Sequence, residues 1–217
     1  MAGMVEVDKV KVDKPGRPVS VSASVHVKSN YPAYVSRGGL KLDAALKGFS
    51  VKVDGQVVID VGASTGGFTD CLLKHGARKV IAVDVGYGQL DWQLRQDQRV
   101  EVLEKTNVRY LKPEDLNQPI HGAVIDVSFI SLKLVVPPVS KLLTRHAFIV
   151  ALIKPQFEVG KGKVGKGGVV RDPKLHLQVV EDLARFFEDS GWAVEGQIPS
   201  PLLGPKGNRE FLIYLIR

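Results

Sequence analysis

The stretch VVIDVGASTGGFTD, residues 57–70, runs from β-branched residues through a turn of small residues into an amphipathic pattern. Residues 57–61 read as a buried strand, and the spacing after Gly67 predicts a helix over 67–75. A strand, a glycine turn and a helix in that order bring bare backbone to the carboxyl end of a parallel strand, where doubly wound sheets bind their ligands. Ordinary turn chemistry accounts for Gly62, Gly66 and Gly67 equally well when they are taken alone.

Outward from this unit the same alternation repeats. KVIAVDV (79–85), AVIDV (123–127) and AFIVALI (147–153) are nearly continuous apolar runs, as a parallel sheet covered on both faces requires. RVEVLE (99–104) reads as an edge strand, and helices are expected over about 90–97, 131–143 and 174–190. WAVEGQIPSP and EFLIYLIR, joined by a Gly/Pro turn, read as an antiparallel pair closing the sheet. The expectation is a doubly wound, Rossmann-like α/β domain with a mostly parallel seven-stranded sheet and an antiparallel last strand.

Residues 1–28 differ. Short alternating strands and a Lys-Pro-Gly turn (14–16) predict a small β-rich piece, too short to bury its own core. Residues 29–36 read as a linker. SRGGLKLDAALKGF then reads as a helix capped by Ser36 or the glycine pair, with Leu40, Leu42, Ala45, Leu46 and Phe49 on its apolar face. The domain proper is expected over 37–217.

The 217 residues carry a formal charge of +7 that is unevenly spread. Residues 1–50 hold eight Lys/Arg against four Asp/Glu, and residues 154–174 hold six against two, which leaves the remainder near neutrality. Two basic segments on an otherwise neutral chain suit a polyanion-binding surface, although solvated lysines are the bland alternative. No apolar run approaches the roughly 20 residues that span a bilayer, and no signal-peptide pattern opens the chain, so a cytoplasmic location is expected. Cys71 is the single cysteine, and His26, His75, His121, His146 and His176 show no ligand spacing, so no metal site is expected.

Candidate chemistry collects at the strand ends. Asp84 follows Gly62 by 22 residues, where a carboxylate accepts hydrogen bonds from ribose hydroxyls. The G-x-G-x-x-G order of dinucleotide enzymes is absent, which favours S-adenosylmethionine, a cofactor without phosphate, over a dinucleotide. Candidate cofactor contacts are Asp60, Gly62, Ser64, Thr65, Gly66, Gly67 and Phe68 in the turn, with Asp84, Asn107 and Asp126 on later segments. Asp126 and Lys154 each end an apolar run, on strands expected to be neighbours, and Pro155 holds Lys154 extended. Taken singly, each is more often a solvated exit or a helix cap.

These residues carry a resemblance. SRGGLKL, DVGASTGGFTD, VIDVSFISL, LIKPQFE and NREFLIYL together resemble the TlyA-type hemolysin-like proteins, a branch of the FtsJ-like ribosomal RNA 2′-O-methyltransferases, over about residues 30–217. The resemblance implies a class I methyltransferase fold, S-adenosylmethionine as cofactor, and a cytidine ribose hydroxyl of ribosomal RNA, free or in ribosomal subunits, as acceptor. It also implies a catalytic tetrad at Lys41, Asp126, Lys154 and Glu210. Residues 1–28 resemble the C-terminal half of the family's RNA-binding module, whose preceding helices do not match this chain.

An ordinary lysine, with a pKa near 10.4, is neutral in only roughly one part in a thousand near pH 7.5, so Lys154 needs its neighbours to serve as a base. Asp126 is expected to orient it, with Lys41 and Glu210 holding the nucleotide. The loop GKGKVGKGGVVR (160–171) spaces cations among glycines and is expected to be flexible, closing on phosphates through Lys161, Lys163, Lys166 and Arg171; Arg37 is a further candidate RNA contact. Tyr31 and Tyr34 are expected to pack rather than to stack on bases. A membrane-active hemolysin, a methyltransferase of a protein or small molecule, and a catalytically idle RNA-binding protein are the competing readings.

Overall fold

The computed structural model describes residues 5–12, 16–27, 33–160 and 162–217. The chain divides into two compact units, Met1–Ala33 and Tyr34–Arg217. In the first, β1 (Val5–Val7), β2 (Val10–Lys11) and β3 (Val25–Val27) form an antiparallel sheet in the order β2-β1-β3. Its hairpin turns at Asp8 and Lys9, with φ of 51° and 67°, the left-handed pair that matches strand twist. The expected turn at Lys14 and Pro15 lies outside the described residues. Among the residues of 5–26 whose burial is described, none is buried, as expected of a piece too short to bury its own core.

The second unit opens with α1 (Gly38–Gly48), whose buried face is Leu42, Ala45 and Leu46 together with Lys41. Leu40, expected on that face, is 42% exposed. Arg37 holds the N-cap position without a side-chain bond, and Ser36 contributes its carbonyl, accepting from Gly39 N at 3.1 Å, rather than its hydroxyl. Ser50, at φ 56°, ends the helix. Tyr34–Ser36, read as linker, belong to this unit. Tyr34 is buried in its core, and Val35 N donates to Asp70 Oδ2 at 2.9 Å.

There follow β4 (Val57–Val61), α2 (Gly67–Lys74), β5 (Lys79–Val83), α3 (Trp92–Gln96), β6 (Val100–Leu103), β7 (Ile120–Ile125), α4 (Leu132–Ser140), β8 (Leu143–Ile153), α5 (Pro173–Asp189), β9 (Ala193–Pro199) and β10 (Phe211–Ile216). The sheet runs β6-β5-β4-β7-β8-β10-β9, parallel except for β10, which is antiparallel to both neighbours. Alternate residues of β4 face opposite layers. Val57, Ile59 and Val61 belong to one apolar cluster with Val135 and Val136 of α4 and Leu183 of α5, while Val58 belongs to a second with Leu42, Leu72 and Leu94 of the other helices.

Strand β8 begins four residues earlier than the apolar run predicts, and α4 is correspondingly shorter than 131–143. The added stretch, Thr144–His146, is polar and at least partly exposed, and the β7 pairing steps from Leu143 to Phe148 across it. Leu143, buried and paired with Ile120, thus starts the strand ahead of an irregular polar stretch that interrupts the hydropathy. The order of the strands reverses at β4, so a crevice opens beyond its carboxyl end.

Candidate active site

The turn after β4 is shaped by what lies across it. Gly62 has φ 86°, and a Cβ there would sit 2.4 Å from the carbonyl oxygen of Asp126, so only glycine lets the two strand ends approach. Around this turn lie two cavities that share Gly62, Ser64 and Asp126. One, of about 560 Å³, is walled by Asp84, Asn107, Asp126 and the apolar Val85, Val127 and Ile130. The other, of about 380 Å³, is walled by Arg37, Gly38, Lys41, Thr65, Gly67, Phe68 and the turn Leu203–Lys206.

The donors fit S-adenosylmethionine. Asp84 already accepts from Ser64 N through Oδ2 (2.8 Å) and from Gly86 N through Oδ1 (2.7 Å), and a carboxylate keeps lone pairs for ribose hydroxyls. Asn107 Oδ1 accepts from Arg109 N at 3.1 Å and from Nε at 3.2 Å, which leaves its amide nitrogen as the donor to a base. The apolar residues beside them form a wall suited to a purine.

Two of the expected cofactor contacts stand elsewhere. Asp60 is wholly buried and lines neither cavity; its Oδ2 accepts from the Thr69 hydroxyl at 2.6 Å and its Oδ1 has no hydrogen-bond partner among the described residues. Burial, partly opposed by that hydroxyl and reinforced by Asp126, pushes its carboxyl up to about 7. Gly66 faces α3 instead: a Cβ there would strike Leu94 at 2.3 Å and Leu90 at 2.8 Å. The side of the turn that each residue takes follows from helix packing, which the motif alone does not reveal.

Beyond the cavity the four tetrad residues converge as two ion pairs. Asp126 directly follows β7, Lys154 directly follows β8, and the register that joins Phe211 to Ile153 carries Glu210 to the same rim. Lys154 Nζ lies 2.6 Å from Asp126 Oδ1 and donates to Ser128 Oγ at 3.0 Å; the Asp126 contact is too bent for a hydrogen bond. Lys41 Nζ donates to Glu210 Oε2 at 2.6 Å, with the Glu210 side chain fully buried. Lys41 and Asp126 both line the 380 Å³ cavity, so each pair shows one member to it.

Of the basic residues, Arg37 reaches the cavity mouth. Lys163, Lys166 and Arg171 are exposed but line neither cavity around the turn, and Lys161 lies outside the described residues. The loop expected to be flexible is anchored in its second half: Gly165 bridges Val169, and Val169 and Val170 are buried. Tyr31 also lies outside the described residues.

Sequence reasoning missed two features and left a third open, Phe129 being one of three residues, with Asn107 and Asp126, that could lie against the adenine. The turn Leu203–Lys206 forms a wall, and the Gly/Pro punctuation of PLLGPKG was its signal. Phe129, with φ 65° and 90% exposure, stands over the larger cavity beside Phe157, a backbone state unusual for an aromatic residue. Asp43, Cys71 and His75 bring metal-type donors within 4.8 Å of one another across α1 and α2. These groups bond to one another and to neighbours: His75 Nε2 meets Asp43 Oδ1 at 2.9 Å, Lys47 holds Oδ2 at 2.8 Å, and burial pushes the Cys71 thiol up to about 12.

A doubly wound sheet with this strand order, an antiparallel β10 and a nucleoside-sized cavity at the switch point define a Rossmann-like S-adenosylmethionine-dependent methyltransferase. The chain belongs more narrowly to the FtsJ-like methyltransferase family, whose sequence model matches residues 34–217. It is 49% identical over 215 residues to the 16S/23S rRNA (cytidine-2′-O)-methyltransferase TlyA of Mycobacterium tuberculosis, covering 99% of this chain and 80% of that one. A solved hemolysin candidate from Streptococcus thermophilus superposes with a TM-score of 0.85 at 45% identity, over 100% of this chain and 80% of that one. A Burkholderia thailandensis N1-methyltransferase solved with S-adenosylhomocysteine shares the fold alone, with a TM-score of 0.56 at 18% identity over 83% and 77% of the two chains. Among the described residues no helix is long and apolar enough to cross a membrane.

Proposed function

We propose that this chain methylates a ribose 2′-hydroxyl, of cytidine, in ribosomal RNA, with residues 37–217 carrying catalysis and residues 1–28 adding RNA contact. The observation that carries the reading is the pair of Lys–carboxylate contacts, each of 2.6 Å, at the lip of the cofactor cavity. Two lysines, each fixed by a carboxylate beside a nucleoside site, suit an acceptor hydroxyl that has to be oriented and relieved of its proton. The identity to relatives that act on ribosomal RNA supports the same acceptor class.

When bound, S-adenosylmethionine supplies a methyl group activated by a sulfonium. The protein's part is then to hold the 2′-oxygen in line and to take its proton. Holding is the larger contribution, since well-placed reactants reach effective molarities of about 10⁵–10⁸ M. Asp84 and Asn107 hold the nucleoside half of the cofactor. Asp126 and Ser128 aim Lys154 Nζ, which, as the neutral amine formed once its own proton has passed to solvent, takes the proton of the 2′-hydroxyl as the oxygen gains the methyl group. Glu210 fixes Lys41 beside the acceptor, and the exposed Phe129 ring offers a base a face to stack on.

The test is methyl transfer from labelled S-adenosylmethionine to isolated ribosomal subunits and their RNAs, followed by mapping of the label. Lys154→Ala should lower turnover by about 10²–10⁴-fold with cofactor affinity unchanged. Turnover near that of the parent chain refutes the role of Lys154, and label on a base or on protein refutes the acceptor.

A further inference from the structure

Asn208 stands two residues before Glu210 and is 3% exposed. All of its side-chain bonds reach backbone: Oδ1 accepts from Val170 N at 3.1 Å, and Nδ2 donates to Gly168 O at 3.0 Å and to Pro205 O at 3.2 Å. Two of these bonds cross to the stem of the basic loop. That stem is closed by Gly165 N donating to Val169 O at 3.1 Å and is held from α5 by His176 Nε2 against Val170 O at 2.8 Å. The third bond holds the turn that walls the Lys41 cavity, which Gly204 N reinforces by donating to Asn208 O at 2.8 Å.

That turn touches the tetrad directly. A Cβ on Gly204 would lie 2.0 Å from Glu210 Oε1, so the glycine backbone is the seat of this carboxylate. One buried amide therefore bonds at once to the loop that bears Lys163, Lys166 and Arg171 and to the turn that seats the partner of Lys41. An apolar residue of the same size would fill the space but leave the buried Val170 N–H without a partner and the part-buried Gly168 and Pro205 carbonyls without their donor.

We propose that Asn208 is a positioning residue that couples the basic loop to the Lys41–Glu210 pair, so that RNA gripped by the loop is presented in a fixed relation to the reacting groups. This rests on the RNA acceptor proposed above. Its physical content is that loop stem and active-site turn move as one body, joined by the two Nδ2 donations and the Oδ1 acceptance.

Asn208→Asp tests it with little change of volume: the acceptor for Val170 N survives, while an oxygen replaces the nitrogen that faces two carbonyls. Amide exchange should quicken together, by roughly tenfold or more, in 162–170 and in 203–207, with β4 and α2 unchanged. Loosening of one segment without the other, or of neither, overturns the coupling whatever the acceptor is. The second arm measures methylation kinetics for Lys163→Ala/Lys166→Ala in the parent chain and in Asn208→Ala. In the parent the pair should raise KM for RNA several-fold with kcat unchanged. In Asn208→Ala, where the loop is already uncoupled, the same pair should change KM little, with cofactor binding retained. Effects that simply multiply overturn the proposal. A parent chain that methylates no RNA refutes the acceptor instead, and the exchange arm still decides the coupling.

Discussion

Asp60 allows a magnitude to be worked from the structure. Its carboxyl is fully buried in β4 with one oxygen bonded to Thr69 and the other without a hydrogen-bond partner among the described residues, and burial lifts it from 3.8 to about 7. Because the folded value lies above the unfolded one, ionisation costs more in the folded chain, by about 4 kcal/mol at full effect. The penalty is absent below about pH 4, where both states are protonated, grows as pH rises toward 7, and is constant above that. Between pH 5.5 and 8 the parent chain should thus lose about 2 kcal/mol that Asp60→Asn, which does not ionise, retains. Urea denaturation of both chains across this range measures it. Subtracting the two curves removes the other titrating groups and any pH-independent cost of the amide. Parallel curves would refute the argument, by showing that water or a shifted backbone solvates the carboxylate.

Breaking one buried ion pair should separate stability from catalysis. Glu210→Gln leaves the Lys41 ammonium beside a neutral partner and should cost about 3 kcal/mol by denaturation. Lys41→Met combined with Glu210→Gln should recover most of that loss while methyl transfer stays abolished; recovery of activity as well would remove the pair from the mechanism. For the loop, removing Lys163 and Lys166 should flatten the dependence of log K for RNA on log salt, by about 0.7 for every single-strand phosphate that is no longer neutralised. An unchanged slope would make these lysines solvated charge only.

Much of the fold was legible because burial is written locally. The apolar runs of β5, β7 and β8 each end at a polar residue, and a polar residue that follows a dry strand has to emerge at the rim, which is why Asp84, Asp126 and Lys154 could be placed from sequence. The start of β8 was misplaced because a polar, irregular stretch at Thr144–His146 separates Leu143, which pairs with Ile120, from the apolar run that pairs from Phe148 onward. Tertiary structure alone decided the pairings. Lys41 and Glu210 are 169 residues apart and meet because β10 inserts between β8 and β9, an order that no local pattern records. The same holds within one motif: Gly62 turns to Asp126, Gly66 to α3, and Asp60 away from both cavities, according to what packs on each side. Sequence determines which groups leave water and at which end of a strand they surface. Which of them then share a site depends on the order in which the strands assemble.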